Sequence, residues 1–327
     1  MAQFTGLPVF AYVDEKVQTQ QLRSFLKSLG ANIKEDGPDN HTENVLELVD
    51  NCGIVGAQLE NDNEVEMSLN SLVSLVTPLP TDQVGPVVKC FCNRLSGAEF
   101  EGSGAQSKAG AALRTLSNLF HGFGGSETLS SQRTLQFNIY CCMLRLAAKN
   151  AGLVQELPTD LSTVRGWFGL WNLDKESRRE CLRLLHKALV GHNSEEATSV
   201  MVELLGTYTE EDAANAVEDA RECVRTTIAD PKAFLFDHLL RLRPVQFLEK
   251  GDPKVYQLLN LFVSGSLLDY GRFYEIQKSF IETDMKLDNE LLRDKMRILT
   301  LMSLGEQKDE VVVIFNLSNK SDQWCTE

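Results

Sequence analysis

Apolar residues recur at three- and four-residue spacings along most of this chain, and no other feature of the sequence constrains the fold as strongly. Four stripes make the period plain: Val65, Leu69, Leu72, Val73 and Val76; Ala197, Val200, Met201, Leu204 and Leu205; Ala213, Val217, Ala220, Val224 and Ile228; Val255, Leu258, Leu259, Phe262 and Val263. This spacing places side chains on one face of an α-helix, whereas a half-buried strand alternates at every second residue. The sequence therefore predicts an all-α fold of amphipathic helices.

Start and stop signals separate these stripes at short intervals. Asp230–Pro231 and Asp252–Pro253 each offer an N-cap carboxylate followed by Pro at the first helical position, where a missing N–H costs nothing. Gly30, Gly152 and Gly191 stand where helices should end. Helices of about 12 to 20 residues with short connectors are typical of antiparallel pairs stacked into a helical-repeat solenoid.

Composition limits the functional classes that this chain can belong to. A formal net charge of -14 opposes a surface that binds phosphate backbones over its whole extent. No run approaches the roughly 18 apolar residues of a membrane span, and no cationic leader opens the chain. The 8 cysteines, most of them among apolar neighbours, are then reduced buried thiols. We expect a cytoplasmic protein without membrane contact.

A search for catalytic motifs finds none. Cys90 and Cys92 lack the two-residue gap and the distant second pair of a zinc module, and no His-Glu-x-x-His occurs. Gly102–Gly104 and Lys108 lack the spacing of a phosphate-binding loop. The sequence therefore predicts a protein that is not an enzyme and that uses no metal and no cofactor.

Side chains suited to partner binding occur in three places. Trp167 and Trp171 share one helix face at a four-residue spacing, where core packing is the default interpretation and an exposed interface anchor is the alternative. Basic clusters supply the remaining candidates, which are Arg178, Arg179, Arg293, Lys295 and Arg297. Each cluster is interpreted either as part of a mixed surface charge pattern or as a weak RNA contact.

Several long strings carry a specific resemblance. They are Phe25–Ala31, Leu116–Gly122, Val200–Thr209, Asp230–Leu240, Arg243–Glu249 and Lys295–Thr300. Over residues 8–305 the chain resembles the M-subunit family of eukaryotic translation initiation factor 3, a branch of the PCI proteins. The resemblance implies a right-handed helical-repeat solenoid of the TPR or HEAT kind that leads into a winged helix. It also implies a scaffold subunit that supports assembly of the 43S and 48S preinitiation complexes.

The expected partners are the other subunits of initiation factor 3 and, indirectly, the 40S ribosomal subunit. Two alternatives remain: a PCI scaffold subunit of the COP9 signalosome or the proteasome lid, and a direct RNA-binding protein. A salt titration of RNA binding would separate the last of these, because phosphate contacts give a steep salt dependence.

The domain organisation follows the same resemblance. We expect N-terminal helical repeats over residues 1–190, the helical part of a PCI domain over residues 191–305, and a divergent tail over residues 306–327. That tail is shorter than the roughly 50 residues that a winged helix needs. We therefore expect a poorly packed tail, an uncovered face on the helix from Asn289 to Leu304, and weaker incorporation into the factor. Val311–Phe315 is the one strand-like segment.

Overall fold

The structure is a computed structural model that describes residues 14–76, 78–80, 82–100, 104–123, 130–150 and 152–306. Every regular element within these residues is helical, which confirms the predicted all-α fold. Contacts divide the chain into two compact units, one ending at Val200 and the other beginning at Met201. The assignment of a PCI domain to residues 191–305 stays a prediction. Residues 307–327, which include Val311–Phe315 and most of the expected tail, lie outside the described residues.

The helices of the first unit vary from 6 to 20 residues. In chain order they are α1 (Glu15–Ser28), α2 (His41–Asp50), α3 (Gly53–Gln58), α4 (Asp62–Val76), α5 (Val84–Gly97), α6 (Ala105–Gly122), α7 (Ser130–Lys149), α8 (Leu161–Trp171) and α9 (Lys175–Leu189), followed by α10 (Ser194–Gly206), within which the division falls. Alternate helices pack side by side, α4 on α6, α5 on α7 and α7 on α9. Stacking of this kind is expected of helical repeats.

Small side chains allow α6 to pack closely on its neighbours, which include α4 and α7. Ala109, Ala111 and Ala112 are fully buried, so the helix backbones can approach closely. The Gly, Ser and Ala residues between positions 97 and 110 are typical of a loop, but α6 begins at Ala105. Gly110 disfavours a helix, but the burial of Ala111 and Ala112, which follow it, outweighs this cost.

A buried arginine joins α1 to α2. The Arg23 guanidinium donates to Lys34 O at 3.0 Å, to Asn44 Oδ1 at 2.6 Å and to Glu47 Oε2 at 2.7 Å. Gly37 lies against it, since a Cβ at that position would come within 2.8 Å of the guanidinium nitrogens. The missing side chain of Gly37 is therefore part of the packing around this charge.

Among the described residues, the second unit contains six complete α-helices, a short 3₁₀-helix (Ala213–Ala216) and a π-helical turn (Phe280–Asp284). The α-helices are α11 (Val217–Ala229), α12 (Asp237–Leu240), α13 (Arg243–Gly251), α14 (Pro253–Ser264), α15 (Leu267–Ser279) and α16 (Asn289–Glu306). α11 packs on α13 and α14, and α15 packs on α16. The apolar stripe of α14 is buried as predicted, with Val255, Leu258, Leu259 and Phe262 at most 2% exposed.

The two Asp-Pro signals have opposite outcomes. Asp252 is the N-cap of α14, accepting from Val255 N at 3.4 Å with Pro253 in the first turn, which confirms that prediction. The predicted helix start at Asp230–Pro231 is wrong, because Asp230 is the C-cap of α11 and the next helix begins at Asp237. Proline cannot continue a helix that would need its N–H, so the same dipeptide also ends one.

Candidate partner-binding surfaces

The tryptophan pair belongs to an aromatic cluster in the first unit. The ring centroids of Trp167 and Trp171 are 5.5 Å apart, and Trp167 lies 5.2 Å from Phe120 and 5.1 Å from Tyr140. Trp171 is only 5% exposed, and its Nε1 donates to Gln136 Oε1 at 3.4 Å. This packing favours the core interpretation for Trp171. Trp167 is half-buried, so part of its ring remains accessible.

The basic cluster of α9 is largely compensated within its own helix. Glu176 accepts from Arg183 at 2.9 Å and lies 3.5 Å from Arg179. The Arg179 side chain is 8% exposed, and Arg178 is half-buried. Two of the cluster's guanidinium groups therefore share one carboxylate on the same helix, which reduces the local positive potential.

Lys295 is buried, whereas the sequence suggested that it lies on the surface. Its Nζ donates to the carbonyl oxygens of Thr227, Ile228 and Asp230 at 3.0, 2.9 and 2.6 Å. It also lies 4.8 Å from the centroid of the Phe236 ring. The residue is 4% exposed, and its ammonium caps the end of α11.

The reason for this cap lies in the sequence at the end of α11. Thr227 O would normally accept from the residue four positions later, which is Pro231 and has no N–H. The N–H of Lys232 is also diverted, because it donates to the Asp230 side chain at 3.0 Å. Lys295 supplies the donors that these carbonyls lack. Burial lowers the pKa of Lys295 to about 8, and the nearby Asp230 carboxylate opposes this shift.

The two arginines beside Lys295 are partly exposed on α16. Arg297 pairs with Asp294 at 2.6 Å, one helical turn away, and Arg293 is half-buried. The three basic residues of this cluster therefore differ in position, since one is buried and the other two border the surface. The spacing of these residues in the sequence does not indicate which of them is buried.

A surface that the candidate residues did not include lies on the last two described helices. Half of the 12 large apolar side chains exposed among the described residues belong to α15 and α16, and they are Leu268, Ile276, Leu291, Ile298, Met302 and Leu304. This agrees with the expectation of an uncovered face on the helix from Asn289 to Leu304. Leu291, Ile298 and Met302 are hereafter called the C-terminal stripe.

Hydrogen bonds join α15 to the side of α16 that faces away from this stripe. Leu267 N donates to Thr300 Oγ1 at 3.0 Å, and the Tyr270 hydroxyl bonds to Asn289 Oδ1 at 3.0 Å. Both bonds start in the first turn of α15, and they reach positions eleven residues apart on α16.

Curated relatives match nearly the whole chain. The chain is 41% identical over 308 residues to eukaryotic translation initiation factor 3 subunit M of Nematostella vectensis, covering 94% of this chain and 77% of that protein. The subunit M of Xenopus laevis is 39% identical over 308 residues, and that of Homo sapiens is 38% identical over 309, each covering 94% of this chain and 78% of the relative. The chain belongs to the subunit M family of eukaryotic translation initiation factor 3.

Membership in the subunit M family confirms the resemblance predicted from the sequence strings. No family model matches the chain. Within the described residues, no group of three or more His, Cys, Asp and Glu side chains is placed to hold a metal ion. The helices that the structure describes include none with the length and apolar character needed to cross a bilayer.

Proposed function

We propose that this chain is a non-catalytic scaffold subunit of eukaryotic translation initiation factor 3, acting in the cytoplasm to support assembly of preinitiation complexes on the small ribosomal subunit. One observation carries the proposal: identity of 37–41% to initiation factor 3 subunit M proteins over 94% of the chain. A match of this length includes both compact units, so it is not limited to a shared helical repeat.

The charges of the described surface favour protein partners over nucleic acid. Lys295 is buried, and two of the α9 arginines, Arg179 and Arg183, share Glu176. Binding to phosphate backbones depends on accessible Lys and Arg side chains whose counterions are released. Two of the predicted basic clusters therefore offer fewer free cations than their sequences suggest. An extended helical array instead offers large packing faces to neighbouring subunits.

Four of the residues predicted to bind partners are partly exposed, and they are Trp167, Arg178, Arg293 and Arg297. We propose that these side chains contribute to subunit docking. Arginine and tryptophan are the residues most often found to anchor protein interfaces. Truncating such an anchor typically costs about 2 kcal/mol or more of binding free energy.

Affinity capture of the tagged chain from cells, with quantitative mass spectrometry, tests the proposal. We expect the other subunits of initiation factor 3 as the dominant partners. Recovery of signalosome or proteasome-lid subunits in their place would assign the chain to another PCI assembly. Recovery of RNA without these proteins, lost steeply with salt, would favour direct RNA binding.

Charge-reversal variants test the docking residues within the same experiment. Arg293→Glu on α16 should reduce recovery of initiation factor 3 subunits at least about tenfold if it is an anchor. Arg272→Glu is the matched control, because Arg272 is an exposed arginine on the neighbouring helix α15. Equal recovery with the two variants would exclude Arg293 as an anchor and leave the subunit assignment untouched.

A further inference from the structure

Two adjacent cysteines on α7 face two different neighbouring helices. Consecutive positions on an α-helix point about 100° apart, so Cys141 and Cys142 lie on different sides of α7. The Cys142 thiol donates to Cys92 O on α5 at 3.1 Å. The Cys141 thiol is instead hydrogen-bonded to the thiol of Cys181 on α9. Cysteines of α7 therefore contact both of the helices that pack beside it.

Each of these contacts brings two thiols together. The side chains of Cys92 and Cys142 are hydrogen-bonded to each other, as those of Cys141 and Cys181 are. All four residues are free cysteines and at most 5% exposed. Both contacts lie inside the stack formed by α5, α7 and α9 in the first unit. The four cysteines are hereafter called the thiol pairs.

Contact between two thiols is the geometric condition for a disulfide. The bond requires two cysteines whose Cβ atoms lie about 3.5–4.5 Å apart and whose side chains point towards each other. Side chains that are hydrogen-bonded through their sulfur atoms already point towards each other, so a short shift of both is enough to close the bond. Each bond would join helices that are already packed.

We propose that a hydroperoxide converts each thiol pair into a disulfide, so that Cys92 is linked to Cys142 and Cys141 to Cys181. The sulfur of one thiolate attacks a peroxide oxygen and becomes a sulfenic acid, and hydrogen peroxide leaves as water. The partner thiol then attacks this sulfur, the S–S bond forms and a second water leaves. Each disulfide therefore gives two electrons to one peroxide, and a dithiol reductant reverses the reaction.

Burial keeps the thiol pairs reduced while the helices stay packed. The hydrogen bond with Cys142, together with burial, raises the pKa of Cys92. The hydrogen bond with Cys181, together with burial, raises the pKa of Cys141 in the same way. Because the thiolate is the form that attacks a peroxide, these sulfur atoms react slowly at neutral pH. Oxidation therefore follows local opening of the first unit, and the disulfides fix α7 between its neighbours once the unit recloses.

Disulfide mapping on the isolated full-length chain tests the proposal. The chain is incubated with hydrogen peroxide in urea below the unfolding transition, alkylated, and digested with trypsin without reduction. Mass spectrometry should find the tryptic peptides 90–94, 134–145 and 180–183 joined by two disulfides in monomeric protein. Links between two chains, or thiol pairs that stay free after the half-buried Cys90 has been oxidised, would overturn the proposal. Initiation factor 3 subunits take no part in the measurement, so its outcome is independent of the proposed function.

Cysteine variants identify the linked sulfur atoms, because peptide 90–94 contains Cys90 as well as Cys92. Cys92→Ser should leave only the link between peptides 134–145 and 180–183. The matched control Cys90→Ser, two residues away on α5, should keep both links. Identical links in the two variants would contradict the pairing of Cys92 with Cys142. Cys223 on α11 is fully buried and its side chain bonds to Thr227, so it should stay a thiol; its equal incorporation into disulfides would indicate oxidation of unfolded chains and overturn the proposal.

The oxidised chain should also resist unfolding. Cys92 and Cys142 lie 50 residues apart, and a cross-link that closes a loop of this length raises the ratio of folded to unfolded protein roughly 10²–10³-fold. The urea midpoint, followed by far-ultraviolet circular dichroism, should therefore rise on oxidation and return after treatment with dithiothreitol. The double variant Cys92→Ser with Cys181→Ser should show no such rise. An unchanged midpoint in the doubly linked wild-type chain would contradict disulfides that fit the native packing.

Discussion

Replacement of Lys295 by methionine should destabilise the chain, because Lys295 closes the end of α11. The variant Lys295→Met keeps a side chain of similar length and removes the ammonium that donates to Thr227 O, Ile228 O and Asp230 O. Asp230 O retains a bond from Ala233 N at 3.3 Å. The other two carbonyls become buried acceptors without this donor, at a cost of roughly 1–3 kcal/mol each.

The removal of a buried charge offsets part of this cost. Burial lowers the pKa of Lys295 to about 8 from 10.5, which corresponds to about 3 kcal/mol against the charged form in the folded chain. Subtracting this cost from the roughly 2–6 kcal/mol for the two carbonyls leaves a net loss of up to about 3 kcal/mol in the free energy of unfolding at pH 7. Arg297→Met, which removes a partly exposed pair with Asp294, should cost less than about 1 kcal/mol.

The effect of pH gives the same variant a second readout. Between pH 8 and 10.5 the unfolded chain keeps the Lys295 proton while the folded chain releases it, so this residue makes stability rise with pH. Buried thiols such as Cys223, whose pKa burial raises to about 12, act in the opposite direction because the folded chain retains their protons. The quantity to compare is therefore the difference between the wild-type chain and Lys295→Met, which should widen by up to about 3 kcal/mol across this window.

Urea unfolding followed by far-ultraviolet circular dichroism, repeated at several pH values, measures both effects. If Lys295→Met is as stable as Arg297→Met at every pH from 7 to 10, Lys295 does not cap α11. A difference from wild type that stays constant or narrows above pH 8 would contradict the lowered pKa of Lys295.

Three further predictions concern packing and thiol reactivity. Gly37→Ala should lower the unfolding free energy by about 1–3 kcal/mol, because its methyl group would come within 2.6 Å of a neighbouring amide nitrogen; Gly53→Ala, with nothing within 4 Å, should not destabilise the chain in the same urea titration. Trp171→Ala should cost about 3–5 kcal/mol, and Leu170→Ala, at a position 56% exposed, should cost far less; similar midpoints would place Trp171 outside the core. Burial raises the pKa of Cys90 to about 11, so its alkylation rate, followed by peptide mass spectrometry, should keep rising with pH above 9; a plateau near pH 9 would argue against this shift.

Local patterns in the sequence were sufficient to predict the helices and much of the core. The stripe of α14 and the N-cap at Asp252 follow from spacing and capping chemistry within a few residues. Asp230–Pro231 was misinterpreted because the same dipeptide suits the start of a helix and the end of one. The hydrogen-bond donors near Asp230–Pro231 decide whether the dipeptide starts or ends a helix. One of these donors, Lys295, lies 65 residues away in the sequence.

The candidate surface residues were harder to predict for the same reason. Arg293, Lys295 and Arg297 are close in sequence and were treated as one cluster. Only Lys295 is buried, because the end of α11 faces only one side of α16. Trp171 and its neighbours on α6 and α7 also meet only through the tertiary fold. Exposure of the C-terminal stripe, in contrast, was expected from the sequence, since a helix with apolar residues around much of its circumference cannot bury all of them against one neighbour.

Co-sedimentation of the tagged chain through a sucrose gradient, in lysate crosslinked to preserve preinitiation complexes, tests the central claim most directly. If the chain is a working subunit of initiation factor 3, it should sediment with the other subunits and with the 40S ribosomal subunit, and its peak should move with theirs when initiation is blocked. A chain that remains near the top of the gradient while the other subunits sediment with the 40S ribosomal subunit would contradict the proposed scaffold function.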